Sequence, residues 1–105
     1  MDTKQDLINA KNLISDPDHW GQGWQDTSHR YCALQACRKV AGFDSQDNTI
    51  RDNALLRFSR IIDSLDQALY EITHTYQRGI SHYNDKSTHN EVMALFDQAI
   101  TSFPD

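Results

Sequence analysis

An all-α bundle of four or five helices is the fold this sequence predicts, on three observations. Apolar residues recur three and four apart in several segments. No run alternates with period two for long enough to suggest a sheet, and S/T-x-x-E/Q capping boxes punctuate the chain. A chain of 105 residues fits one domain, with no room for a cofactor domain beside a substrate domain. Surface scaling gives a folded area of roughly 6,000 Å² against about 17,500 Å² unfolded, enough for one small core. With 38% hydrophobic residues and a mean hydropathy of −0.70, that core must be economical.

The first helix starts at Asp2 or Thr3 and ends near Ser15, because Pro17 disfavours helix at the residue before it. Leu7, Ala10, Leu13 and Ile14 form its apolar stripe, with Lys4, Lys11 and Asn12 turned outward. Asp16 to Gln25 reads as a loop by its proline and glycines. Its Trp20 and Trp24 are costly to expose and are expected to fold back as a lid, their indole N–H groups bonded.

A second helix runs from Thr27 or Ser28 to Gly42, with Ala33, Ala36, Cys37 and Val40 as a small-residue face. Arg38 and Lys39 sit in its last turn, where they complement the dipole. After a polar linker, a third helix spans about Asn48 to Asp63, with Ile50, Ala54, Phe58, Ile61 and Ile62 on one side. Ser64-Leu65-Asp66-Gln67 has capping-box form and predicts a break, then a fourth helix to about Arg78 burying Leu65, Ala68, Leu69, Ile72 and Tyr76. The rival is one continuous helix from Asn48 to Arg78, since neither glycine nor proline interrupts it.

Gly79 ends that element, and Ile80 to Ser87 reads as a loop. Thr88-His89-Asn90-Glu91 is the better capping box, and it opens a last helix striped by Val92, Phe96, Ala99, Ile100 and Phe103.

Three blocks carry a family resemblance: Trp20-Gly21-Gln22-Gly23, Cys32-Ala33-Leu34-Gln35-Ala36, and the run from Asn84-Asp85 through Thr88, Glu91 and Val92 to Ala99-Ile100. In this order they resemble an uncharacterised family, a small domain of unknown function in bacteria and their phages, over about Leu7 to Ile100. Gln35 stands where members usually carry glycine, a departure that bears on the closest helix contact there. The resemblance implies a compact helical domain and a link to mobile elements, and carries no activity.

The formal charge of −5 argues against a general nucleic-acid binder. Thirteen of the fifteen acids are aspartates, which favour caps and turns over helix interiors. Residues 30–60 form a basic middle between acidic ends. That middle is expected to pair with its acidic neighbours; the alternative is a basic face of Arg38, Lys39, Arg51 and Arg57 for nucleic acid or an acidic partner. No segment has the apolar length of a membrane span, and Met1-Asp2-Thr3-Lys4 lacks a signal-peptide pattern, so the cytoplasm is the expected compartment and no membrane partner is expected.

Nucleotide-binding, serine-hydrolase and zinc-protease motifs are missing, and no cofactor is expected. Cys32, placed by this reading in the first turns of the second helix with His29 three residues earlier, is the candidate nucleophile of a small cysteine-dependent enzyme. Against that, free cysteine is commonly buried, and catalysis is the lesser reading. His74, His82, His89 and Asp85 match no standard zinc spacing and read as isolated surface and cap residues, so no metal is expected. Tyr83, Asn84 and Asp85 could face Trp20, Gln22 and Trp24 as a binding patch, or Asn84-Asp85 could be an Asx-type turn bracing the bundle. The function expected is therefore a non-enzymatic protein-interaction module, by analogy a mobile-element inhibitor that blocks a bacterial defence complex of CRISPR type by occupancy.

Overall fold

The computed structural model describes residues 2–23, 30–44, 49–50, 53–74 and 79–103. Among them are five α-helices: α1 Thr3–Leu13, α2 Ala33–Ala41, α3 Ala54–Thr73, α4 Ile80–Lys86 and α5 His89–Thr101. A 3₁₀ turn covers Pro17–His19, and two-residue strands β1 Phe43–Asp44 and β2 Thr49–Ile50 pair antiparallel. The fold is all-α, and its accessible area of 6350 Å² matches the scaling expectation. None of the described helices is long and apolar enough to cross a membrane.

The aspartates work as caps from the start of the chain. Asp2 Oδ1 accepts from Gln5 N–H at the head of α1, and Asp16 Oδ1 accepts from Asp18 N–H at the head of the 3₁₀ turn. The stripe of α1 places Leu7, Ala10 and Ile14 fully inside, against Ala33, Ala36 and Cys37 of α2 and Val92, Phe96 and Ala99 of α5. Small side chains on α2 leave space for the neighbouring helix. Gly42 takes the left-handed conformation that closes α2 (φ 113°). The capping box of α5 forms in both directions: Thr88 Oγ1 accepts from Glu91 N–H at 3.2 Å, and Glu91 Oε1 accepts from Thr88 N–H at 2.9 Å.

Five expectations need correction. The second helix begins at Ala33, about a turn and a half later than expected. Tyr31 is held extended instead, donating to His19 O and accepting from Gly21 N–H in a parallel bridge with Trp20. The break at Ser64 does not occur, and α3 is one helix from Ala54 to Thr73. Ser64 Oγ bonds back to Arg60 O within the helix at 2.9 Å, the competing use of a serine that could have been a cap. Residues 49–50, expected in that helix, lie in β2.

The stretch 80–87, expected as loop, holds α4, with Ile80 and Asn84 buried on one side, four residues apart. Asn84 is therefore a helical residue and not part of an Asx-type turn. Finally, Ile72 is 39% exposed rather than buried. It lies in the last turn of α3, beyond Leu69, the last buried residue of that helix. Tyr76 lies outside the described residues.

Candidate functional site

The two polar segments singled out in the sequence meet in space, and Asn84 is the junction. Its side chain is fully buried, yet all four of its hydrogen-bonding positions are used. Asn84 Oδ1 accepts from Trp20 Nε1–H at 2.7 Å and from the backbone N–H of Ala33 at 3.0 Å. Asn84 Nδ2 donates to Gly21 O at 3.1 Å and to Asp85 Oδ1 at 3.3 Å. One amide thus ties α4, the tryptophan loop and the first turn of α2.

Neighbouring residues extend the clasp. Gly23 N–H donates to Asp85 Oδ1, and Gln22 Nε2 donates to Ser87 O at 3.1 Å. The Trp20 ring packs against His89, centroids 5.5 Å apart, while His89 Nε2–H donates to Ile14 O at 2.7 Å. That last bond satisfies a carbonyl at the C-terminus of α1. Trp20 thus folds back with its indole N–H bonded, as a lid does. Tyr83 packs half-buried against the core beside Asn84. Trp24 lies outside the described residues.

Cys32 precedes α2 as its N-cap residue. Gln35 Oε1 accepts from Cys32 N–H at 3.1 Å, and the sulfur faces the backbone N–H groups of Gln35 and Leu34. Those N–H groups favour the thiolate, but burial outweighs them and pushes the Cys32 thiol up; Asp85 adds to the rise. Cys37 is fully buried and its thiol is pushed up strongly, for the same reason. The electropositive helix end expected to activate Cys32 is thus offset by desolvation. His29 lies outside the described residues.

The basic residues are put to varied use. Arg57 grips the buried Asp6 in a two-point contact, Nη2 to Oδ1 at 2.6 Å and Nε to Oδ2 at 3.2 Å, and Asp6 raises the guanidinium pKa further. Arg38 lies over the Phe43 ring, 4.5 Å from its centroid, and Phe43 meets Phe58 edge-on at 5.7 Å. Lys39 is exposed. Arg51 lies outside the described residues. Among the described residues no three histidine, cysteine, aspartate or glutamate side chains converge as a metal site; His74 ends α3, His82 lies on α4 and His89 serves the clasp.

Sequence reasoning missed Asp6, Gln35, Ser87 and the role of His89. The signal for Asp6 was its place four residues before Ala10, on the inner side of the first helix. Gln35 was visible three residues after Cys32, at the spacing of a capping box.

It also missed the outer face of α3. Leu55 is 69% exposed, Leu56 48% and Tyr70 38%. Ser59, Arg60, Asp63, Asp66 and Gln67 share their exposed side of the helix. Asp66 has a raised carboxyl pKa, from partial burial first and from Asp63 three residues earlier second.

No curated protein and no solved structure matches the chain. The model of a "Family of unknown function (DUF6197)" matches residues 1–102, nearly the whole sequence. The chain belongs to this family of unknown function, DUF6197.

Proposed function

We propose that the chain is a non-enzymatic protein-interaction module that binds through the outer face of α3. The observation that carries this reading is the exposure of Leu55, Leu56 and Tyr70 on a helix whose opposite face is core. Covering exposed leucines removes apolar area from water, a gain of about 25 cal/mol per Å² that opposes the rotamer freedom lost. The groups that resembled chemistry in the sequence have other work. Asn84 and Asp85 hold the clasp, Arg57 holds Asp6, and the thiol of Cys32 is pushed away from the thiolate form. These placements favour binding over the cysteine-enzyme and basic-face alternatives.

Affinity capture with the wild-type chain and with Leu56→Asp tests the proposal. A protein retained by the first and lost from the second supports it; equal retention by both, or none by either, contradicts it. The narrower form is a mobile-element inhibitor that occupies a bacterial defence complex. Its test is phage plating on a defended host that expresses the chain: restored plating supports the inhibitor role, and unchanged plating removes it.

A further inference from the structure

We propose that the outer face of α3 recognises a second copy of this chain, the two helices lying antiparallel about a two-fold axis at Asp63. This deepens the interaction reading above and rests on it. Leu56, Asp63 and Tyr70 are seven residues apart and share one exposed stripe. With Asp63 on the axis, Leu56 of each copy falls opposite Tyr70 of the other. Arg60 falls opposite Asp66, and Ser59 opposite Gln67. Each pair occurs twice, as an isologous interface requires.

The charges select both the direction and the partner. Neither Arg60 nor Asp66 forms an ion pair within the chain among the described residues. A parallel pairing in register would set Arg60 on Arg60 and Asp66 on Asp66, with like charges along the whole seam. The antiparallel arrangement replaces these with two opposite-charge pairs and leaves only the Asp63 carboxylates facing each other. An arginine also compensates the environment that raises Asp66 in the single chain. The apolar contacts lie about 21 Å apart along the helix, equally far from the axis, so one face supplies both halves of its own complement.

One helix pair with a polar centre belongs to the small, transient class of interface. Its dissociation constant is expected on the order of 10⁻⁴ M. Sedimentation equilibrium on the full chain up to about 1 mM reads it directly. The wild type is expected to dimerise. Leu56→Asp and Arg60→Asp should each weaken the dimer about tenfold or more, while Asp63→Asn should tighten it about threefold by removing the like-charge contact on the axis. The double variant Arg60→Asp/Asp66→Arg should return to within about threefold of wild type, a rescue that only this register supplies.

All of these positions are exposed, and circular dichroism verifies that each variant keeps its helices. A chain that stays monomeric at about 1 mM, with Asp63→Asn monomeric too, overturns the pairing. So does a dimer indifferent to Leu56 and Arg60. If such a monomer still captures another protein in a Leu56-dependent way, the interaction module stands and self-pairing alone fails.

Discussion

Asn84 shows how a buried polar side chain can define a fold at the scale of one residue. Two donors and two acceptors are all satisfied, and three chain segments meet at its amide. Reversing the amide would set its NH₂ against the Trp20 and Ala33 donors, so the surroundings fix its orientation. Asn84→Leu leaves Trp20 Nε1–H, Ala33 N–H and Gly21 O without their partner, and should cost about 2–4 kcal/mol in urea unfolding. A loss below about 0.5 kcal/mol would mean that the clasp is dispensable. The two cysteines give a pH signature. Burial raises both thiols above their unfolded values, so the stability they contribute is fully present below the ordinary thiol range and is lost as pH climbs through it. Thermal melts should fall above about pH 9, and Cys37→Ala should show a shallower fall. Alkylation of Cys32 at neutral pH should run slower than that of a free thiol; a faster rate would restore it as a nucleophile. The pairing of Asn84 with Trp20 was visible as two candidate patches. The bond to Ala33 was not, because it joins residues 51 apart in the chain and depends on how α4 and α2 pack.

Each helix boundary reflects a competition between local signals and packing. The ends of α1 and the start of α5 followed from sequence because local chemistry and apolar period agree there: Asp2 caps, Thr88 and Glu91 box, and the stripes are regular. The start of α2 did not, since Tyr31 could only reveal its extended conformation through its bridge to Trp20. α4 was hidden because it has seven residues and its inner face carries the polar Asn84 where an apolar residue is usual. Ser64 and Thr88 have similar local sequences and opposite fates, and substitution separates them. Thr88→Ala removes a cap and should destabilise by about 1 kcal/mol. Ser64→Ala replaces a mid-helix serine by the best helix former and should leave stability unchanged or raise it by about 0.5 kcal/mol. If Ser64→Ala instead cost as much as Thr88→Ala, α3 would be two helices in solution.

Over the whole molecule, the net charge of −5 hides an internal arrangement. Arg57 from the basic middle holds Asp6 from the acidic N-terminal part, and Lys11 reaches Asp97 of α5 at 2.6 Å. The first contact matters more, because Asp6 is 6% exposed at its side chain and Arg57 33%, whereas Asp97 is well exposed. Arg57→Met should cost about 1–3 kcal/mol, less than a fully buried pair because solvent screens the arginine. Asp6→Asn/Arg57→Met should cost less than the single change, since no unpaired carboxylate is left; an equal cost would locate the loss in packing rather than charge. With these residues committed to the fold, the outer face of α3 is the surface proposed for recognition. Sequence reasoning had assigned Leu65, Ala68 and Leu69 of that helix to the core correctly, but the late start of α3 and its unbroken length decide what its other side displays. An NMR dilution series on the labelled chain reports both surfaces at once. The amides of Leu56, Arg60, Asp63, Asp66 and Tyr70 should shift with concentration while the Trp20 indole N–H stays fixed. Shifts centred on Trp20, Gln22 and Asp85, with α3 unmoved, would instead place self-association at the clasp and contradict pairing through α3.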